Sequence, residues 1–182
     1  MEKNHHLKAS WKEGGAGRFT EKNAEYLSFF KQAFPEFSGS ILEVGPGTGK
    51  FAKLLLETYD ISRYTILDVE RNLEHPQSTL SSFCNVEYVP SFQYEDVLED
   101  SFDLLIAVQC LSETPQYYRS DLLENVKCGS CFIIDGNPSD EEFTNLIKRF
   151  KSFFPVTGEI PTTFYGGNTQ KVHIGTQRLF TT

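Results

Sequence analysis

Short apolar runs alternate along the chain with longer segments in which apolar residues recur at helical spacing. A short apolar run bounded by glycine, proline or acidic residues predicts a buried strand, and alternation of such strands with helices predicts a parallel sheet. Residues 162–180 differ, because two strand-like runs around Gly166 and Gly167 predict a hairpin. The pattern predicts an α/β fold with a doubly wound, seven-stranded sheet, mostly parallel with an antiparallel C-terminal hairpin. The five predicted parallel strands cover residues 41–44, 64–68, 86–89, 100–109 and 131–135.

Helices are predicted between these strands. Residues 21–34 place four aromatic side chains at helical spacing, which favours a helix whose aromatic stripe belongs to the core. Residues 71–83 are weakly helical and are interrupted by His75 and Pro76, whereas residues 116–126 are amphipathic. The stripe of the first helix consists of Tyr26, Phe29, Phe30 and Phe34.

The segment that joins the first strand to a helix is rich in glycine. Residues 43–49 read Glu-Val-Gly-Pro-Gly-Thr-Gly. Three glycines in five positions allow the backbone to turn sharply and to approach a ligand closely. After the loop, residues at helical spacing predict a helix, namely Phe51, Leu54, Leu55 and Thr58. The free N–H groups of its first turn are expected to point back at the glycines. This strand–loop–helix unit predicts a ligand-binding cradle.

Spacing separates the nucleotide motifs that such a cradle could belong to. A phosphate-binding P-loop needs four residues between its glycines and then Gly-Lys-Ser/Thr, but Gly45 and Gly49 enclose only three and Phe51 follows Lys50. The dinucleotide fingerprint needs its third glycine at position 50, and its pyrophosphate has no use for an acid such as Glu43. The P-loop interpretation fails, and the dinucleotide interpretation is weakened but stays open.

Residues 43–49 instead resemble the first motif of class I S-adenosylmethionine (SAM) dependent methyltransferases, which implies a Rossmann-like fold and SAM as cofactor. In that family the loop backbone lies along the methionine part of SAM, and the acid at the Glu43 position orients the loop and the ammonium end of the cofactor. SAM carries an ammonium and a sulfonium but no phosphate, so a carboxylate here is compatible with its charge. The implied cofactor-binding residues of the loop are Gly45, Pro46, Gly47, Thr48 and Gly49.

A second cofactor contact is predicted at the end of the second strand. An acid there can accept hydrogen bonds from both ribose hydroxyls. Asp68 is the first choice, with Val69 beside it, and Glu70 is the second. This acid does not distinguish SAM from NAD, because both carry adenosine, and two solvated strand-end acids are the simpler alternative.

Two further strand ends provide candidates. After the third strand, Ser91 can hydrogen-bond the adenine and Phe92 can pack on its face, although Phe92 is equally compatible with the core. The fourth strand resembles the corresponding strand of the same family. It flanks the topological switch point of a doubly wound sheet together with the first strand, so Gln109 is expected to line the ligand crevice.

The catalytic candidates are Glu113 and His173. Residues 109–113, together with residues 64–70, are similar to the sugar O-methyltransferase subgroup, in which a glutamate occupies the Glu113 position. Thr114 replaces the methionine that usually follows it. A histidine can act as a base near neutral pH, and His173 lies in the predicted hairpin. A solvated acid and a surface histidine are the alternative interpretations, and Asp135 is a further polar contact. No metal site is predicted.

Composition and charge narrow the class of partner. The chain has 182 residues, of which 39% are hydrophobic, and a net charge of −8. This acidic balance disfavours nucleic acid and anionic membranes and favours a small molecule or a protein. No apolar stretch approaches 18 residues and no signal-peptide core is present, so a cytoplasmic location is expected. Residues 1–20 form a segment that is flexible or covers the site, and residues 21–182 form one SAM-binding domain.

The four cysteines suit a reducing compartment. Cys128 and Cys131 match C-x-x-C, but a redox pair normally opens a helix, whereas here Gly129 and Ser130 are expected to turn into a strand. The spacing therefore does not favour redox or metal chemistry.

The resemblance implies in-line transfer of the SAM methyl group to a hydroxyl of a small molecule, in this subgroup a sugar. Because SAM is already activated, alignment supplies most of the catalysis and a base near the hydroxyl adds to it. The alternatives are an NAD-dependent oxidoreductase, another transferase that uses SAM, and a catalytically silent SAM-binding interaction protein. The sequence does not determine the oligomeric state.

Overall fold

A computed structural model describes residues 19–111, 114–135, 156–163 and 169–176. Helices and strands alternate through the first two of these ranges. The helices are α1 (Phe19–Ala33), α2 (Lys50–Thr58), α3 (Glu74–Thr79), α4 (Tyr94–Glu99) and α5 (Gln116–Asn125), and short 3-10 turns span Glu70–Asn72 and Ser91–Gln93. The strands are β1 (Ser38–Val44), β2 (Asp60–Asp68), β3 (Val86–Pro90), β4 (Ser101–Val108), β5 (Lys127–Asp135), β6 (Val156–Thr163) and β7 (Thr169–Thr176).

Five strands form a parallel sheet in the order β3-β2-β1-β4-β5. Successive strands are added towards one edge of the sheet from β1 to β3 and towards the other edge from β4 to β5. The carboxyl ends of β1 and β4 therefore flank the topological switch point. Beyond β5, the backbone of β7 pairs antiparallel with β5, and β6 pairs antiparallel with β7. The predicted α/β Rossmann-like fold with its parallel strands is confirmed. Residues 164–168, which include the predicted hairpin turn, lie outside the described residues.

Buried clusters cover both faces of the parallel sheet. One face packs β1 and β4 against α1 and α2, with Ile41, Ile106 and Phe30 at its centre. The other packs the same strands against α4 and α5, with Leu105 and Leu122 fully buried. Strands buried on both faces read as continuous apolar runs, which is why they were predictable from the sequence. The predicted core role of the aromatic stripe on α1 is confirmed, since its members lie buried or partly buried in the first cluster.

Two local predictions were wrong. His75 and Pro76 do not interrupt a helix, because α3 begins at Glu74 and places Pro76 in its first turn, where a missing N–H costs no intrahelical hydrogen bond.

Cys128 and Cys131 do not flank a turn either. β5 begins at Lys127, and Cys128 pairs with Phe102 of β4, so strand pairing continues through the predicted turn. Both cysteines are buried and neither forms a disulfide, and burial raises the pKa of Cys128 to about 12. A reactive redox thiol needs the opposite shift.

Candidate functional site

The loop after β1 is shaped by glycines in left-handed backbone conformations. Gly45, Gly47 and Gly49 have φ values of 67°, 59° and 75°. A Cβ atom on Gly45 would lie 2.5 Å from the Cβ of Cys110, and one on Gly49 would lie 3.0 Å from the Cα of Pro76. Residues with side chains rarely adopt this conformation, and these two positions also lack room for a side chain. The loop is therefore held between α3 and the chain that follows β4.

Hydrogen bonds anchor both ends of this loop. The Gly45 amide donates to the Leu67 carbonyl of β2 at 2.9 Å, and the Gly49 amide donates to the Pro46 carbonyl at 3.0 Å. The Gly49 carbonyl accepts from the Lys53 amide at 2.9 Å as α2 begins. Gly49 is the N-cap of α2 and has no side chain to satisfy the first turn. The N-terminus of α2 therefore directly adjoins the glycine loop.

Glu43 lies on β1 directly before the loop and is only 1% exposed. The Tyr64 hydroxyl, on β2, donates a 2.8 Å hydrogen bond to its Oε2. Burial raises the pKa of Glu43 from 4.5 to about 7, the hydrogen bond from Tyr64 lowers it, and the charge of Asp68 raises it. Burial, followed by Glu43, also raises the pKa of Tyr64 well above its usual value. A positive charge bound at the loop would favour the ionised form of Glu43.

Asp68 is the last residue of β2, on the strand next to the glycine loop. Its Oδ1 accepts hydrogen bonds from the Val69 amide at 2.7 Å and from Asn72 Nδ2 at 3.1 Å. Burial raises the pKa of Asp68, and these two hydrogen bonds lower it. The second choice, Glu70, is exposed and lies beyond the strand end. The geometry therefore places Asp68, rather than Glu70, beside the loop.

Ser91 and Phe92 follow β3, the strand on the far side of β2 from β1. Ser91 is half-buried, whereas Phe92 is 61% exposed. The alternative that Phe92 belongs to the core is therefore wrong. Because the carboxyl ends of parallel strands meet at one edge, both residues lie at the edge that carries Asp68 and the glycine loop.

On the other side of the loop, Gln109 follows β4 in a left-handed conformation with φ of 55°, the one such non-glycine residue in the described part of the chain. Its amide donates to the Ile134 carbonyl of β5 at 2.6 Å, and its Nε2 donates to the Tyr26 hydroxyl of α1 at 2.6 Å. The next residue, Cys110, donates its thiol to the Val44 carbonyl at 2.9 Å. The chain after β4 is thus bound to β1, β5 and α1 at the switch point.

Sequence reasoning missed two residues at this site. Tyr26 was assigned to the core alone, yet its hydroxyl contacts Gln109. Tyr64 was assigned no role, although it pairs with Glu43. A tyrosine in an otherwise apolar stripe or strand is the signal that could have indicated them, because a buried phenol usually has a hydrogen-bond partner.

Of the two catalytic candidates, the structure describes only the backbone of His173. Glu113 lies outside the described residues. The backbone of His173 pairs with Ile133, which is level with Ala107 and Val44, so β4 and β5 separate it from β1. Three strand spacings amount to about 14 Å. Asp135 ends β5 at the same edge as Gln109.

The described residues contain neither a metal-binding cluster nor a membrane-spanning helix. Within these ranges, no group of three His, Cys, Asp or Glu side chains is arranged to hold a metal ion. No helix in the same ranges is long and apolar enough to cross a bilayer.

Comparison with known proteins supports the fold. No family model and no curated protein matches the chain. Among solved structures, the N-methyltransferase NodS of Bradyrhizobium japonicum, bound to S-adenosyl-L-homocysteine, is similar with a TM-score of 0.70 at 11% identity, covering 88% of this chain and 90% of that one.

Two other similar structures differ in their described acceptors. A Pyrococcus horikoshii protein proposed to be an RNA methyltransferase has a TM-score of 0.66 at 17% identity, over 88% of this chain and 84% of that one. The mitomycin 7-O-methyltransferase MmcR has a TM-score of 0.57 at 17% identity, over 85% of this chain and 53% of that one. The described sheet, the glycine loop at its switch point and these similarities together establish that this chain has the class I fold of SAM-dependent methyltransferases.

Proposed function

We propose that this protein is a SAM-dependent methyltransferase that methylates a hydroxyl group of a small molecule. The observation that carries the proposal is the glycine loop at the switch point, with the buried carboxyl group of Glu43 beneath it and Asp68 beside it. A loop flanked by two acids suits a cationic ligand without phosphate better than it suits a pyrophosphate. The cofactor bound to NodS has the same adenosine and amino-acid parts as SAM.

Each part of the cofactor would meet a different strand end. The backbone of residues 45–49 would lie along the methionine part, and Glu43 would attract the ammonium group. Asp68 would accept the ribose hydroxyls mainly at Oδ2, because its hydrogen bonds from Val69 and Asn72 both fall on Oδ1. The side chains proposed for the adenine are Val69, Ser91 and the exposed Phe92, and the proposed contact near the methyl group is Gln109.

SAM supplies a methyl group already activated by its sulfonium. In the proposed reaction an acceptor oxygen forms a bond to the methyl carbon, the carbon–sulfur bond breaks, and the hydroxyl proton passes to a base or to water. The protein must hold donor and acceptor in line, which can supply several kcal/mol of the barrier reduction. Glu113, which follows β4 closely, is the proposed base, and His173 is the second candidate.

The proposed acceptor is a hydroxyl group of a small molecule, in particular of a sugar. The net charge of −8 favours a small molecule over nucleic acid, because phosphate backbones are repelled by an acidic surface. The similar structures include N-methylating and O-methylating enzymes and one proposed RNA methyltransferase, so the acceptor atom needs its own test.

The proposal extends to the organisation of the chain. Residues 21–182 would form one SAM-binding domain whose sheet is completed to seven strands by the antiparallel C-terminal hairpin, and residues 1–20 would cover the site or remain flexible. A cytoplasmic location is proposed because none of the four cysteines, all within the described ranges, forms a disulfide.

The activity is tested by measuring S-adenosylhomocysteine formation from SAM with sugars, other small hydroxyl compounds, small amines and RNA as separate acceptors. The proposal predicts turnover with a small hydroxyl compound and a loss of about 10²-fold or more in Glu113→Gln if Glu113 is the base. A control variant, Glu70→Gln, changes an exposed acid at the same sheet edge and should keep full activity. Turnover with amines or RNA alone would contradict the proposed acceptor.

A further inference from the structure

We propose that Tyr64 is a positioning residue for the cofactor, because its hydroxyl holds the carboxylate of Glu43 in place and stabilises it beneath the glycine loop. The inference rests on the proposed function, since it concerns the residue that would attract the ammonium group of SAM. It adds a side chain that belongs neither to the loop nor to a strand end. The contact that carries it is the 2.8 Å hydrogen bond between the Tyr64 hydroxyl and Glu43 Oε2.

The backbone determines where the Tyr64 hydroxyl can reach. Tyr64 is fully buried on β2, where it pairs with Ile41 of β1, two residues before Glu43 on the same strand face. Its amide donates to the Asn85 carbonyl at 2.9 Å. Because the ring is packed on all sides, its hydroxyl cannot turn to solvent. The Glu43 carboxyl group therefore has a fixed donor.

The hydrogen-bonded pair of Tyr64 and Glu43 does more than fill space in the core. A phenylalanine would occupy the same volume among the apolar neighbours without bringing a polar group into the core. Burying a carboxyl group and a phenol costs free energy unless they are paired, and the hydrogen bond compensates for part of that cost. A donor to the charged form of an acid favours ionisation, so the Tyr64 hydroxyl opposes the effect of burial on the pKa of Glu43.

Among the described residues, few other ionisable groups lie around Glu43. Asp68 on β2 raises the pKa of Glu43 by charge repulsion. The other titratable members of the buried cluster on this face are phenols: Tyr26 of α1, Tyr59 after α2 and Tyr88 of β3. Lys50 begins α2 at the end of the loop, and the members contributed by β4 and β5 are apolar. Tyr64 is thus the hydrogen-bond donor that favours the ionised form.

The charge of Glu43 affects how strongly the site binds an ammonium group. The ionised carboxylate of Glu43 attracts an ammonium group at the loop strongly, because a buried site screens charge less than water does. With a pKa raised to about 7, Glu43 is partly protonated around neutral pH in the free protein. Removal of the Tyr64 hydroxyl would raise that pKa further, so the ionised fraction would fall most at pH 6–7 and least at higher pH.

The test measures the dissociation constant of S-adenosylhomocysteine by calorimetry at pH 6.0, 7.0 and 8.5 for the parent, Tyr64→Phe, Glu43→Gln and Tyr59→Phe. Each variant is compared with the parent at the same pH, which cancels the titration of the ligand's own amino group. Tyr59→Phe is the matched control. Tyr59 packs on the same face of the sheet as Tyr64, and the substitution removes a buried phenol hydroxyl that has no hydrogen-bond partner.

For Tyr64→Phe we expect binding about fivefold to tenfold weaker than the parent at pH 6–7 and within about twofold at pH 8.5, as for a pKa raised by roughly one unit. Glu43→Gln should show the opposite trend, with the deficit largest at pH 8.5. Tyr59→Phe should follow the parent throughout.

A deficit in Tyr64→Phe that is equal at every pH, or no deficit, would overturn the inference, since a purely structural role does not depend on the ionisation of Glu43. If the parent itself binds no S-adenosylhomocysteine at any pH, the proposed function fails, and the inference fails with it. Binding of S-adenosylhomocysteine by the parent protein distinguishes these two failures.

Discussion

The Nε2 of Gln109 donates a 2.6 Å hydrogen bond to the hydroxyl of Tyr26, which joins the loop after β4 to the first described helix. Tyr26 is 3% exposed, and its ring meets the edge of Phe51 in α2 at a centroid distance of 6.0 Å. The helix α1 therefore contacts both sides of the glycine loop: α2, which follows it, and Gln109, which lies across the switch point. Through these contacts α1 can influence how the candidate site is shaped.

The first prediction concerns this contact. Tyr26→Phe keeps the ring and its contact with Phe51 but removes the acceptor of the Gln109 amide. We expect a loss of about 0.5–1.5 kcal/mol in the free energy of unfolding, because a part-buried hydrogen bond is lost. Urea denaturation measures this loss. Tyr59→Phe, which removes a hydroxyl without a hydrogen-bond partner, should leave stability unchanged or slightly raise it. Equal losses in the two variants would contradict a specific role for the Tyr26 hydroxyl.

A second prediction concerns the close approach of the loop to Cys110. Gly45→Ala places a Cβ 2.5 Å from the Cys110 Cβ at a φ of +67°. Overpacking and left-handed strain should together cost about 2–4 kcal/mol of stability. Gly129→Ala, at a glycine whose nearest neighbour to an added Cβ is 3.3 Å away, is the comparison and should cost less. Thermal unfolding of both variants tests this ranking, and the reverse order would show that the loop can move away from Cys110.

Stability should depend on pH through Glu43. Its pKa is raised from 4.5 to about 7 in the folded protein, mainly by burial. Between these values the folded state holds a proton that the unfolded state has released, so the free energy of unfolding falls as pH rises and levels off above about pH 7. The full effect is about 3 kcal/mol.

Glu43→Gln removes this titration while it keeps an oxygen that can accept from Tyr64. At pH 8 the variant should be more stable than the parent by about 2–3 kcal/mol, and near pH 4.5 the difference should nearly vanish. Urea denaturation at the two pH values measures the difference. Parallel pH curves for parent and variant would mean that folding does not raise the pKa of Glu43.

The fourth prediction compares two acids at the end of β2. Asp68→Asn should weaken binding of S-adenosylhomocysteine by roughly tenfold or more, because hydrogen bonds to a charged acceptor contribute about 1.5–3 kcal/mol. Glu70→Gln should bind as the parent does, since Glu70 is exposed beyond the strand. Calorimetry on both variants checks the assignment, and the opposite result would place the ribose at Glu70.

The parts of the fold that follow from local pattern were predictable. Continuous apolar runs indicated the five parallel strands, and glycine spacing indicated the loop, because left-handed backbone and close approach favour glycine wherever they occur. The strand starts were less predictable. β5 begins at Lys127, four residues before the predicted position, since pairing with β4 rather than composition determines where it starts.

The contacts within the site depend on distant parts of the chain. Tyr64 and Glu43 are 21 residues apart, and Gln109 and Tyr26 are 83 apart. Strand register and helix packing bring these pairs together, and neither is encoded in a short motif. The left-handed conformation of Gln109 has no local signature either, because a non-glycine residue adopts it under tertiary constraint.

The most direct test of the central claim is a thermal-unfolding scan of the protein with SAM, S-adenosylhomocysteine, NADH or no ligand. At about 100 times its dissociation constant, a true ligand adds roughly 2.7 kcal/mol of stability, which should raise the midpoint by about 5–10 °C for a chain of this size. Our account predicts a shift with SAM and S-adenosylhomocysteine and none with NADH. A shift with NADH alone, or no shift with any of the three, would contradict it.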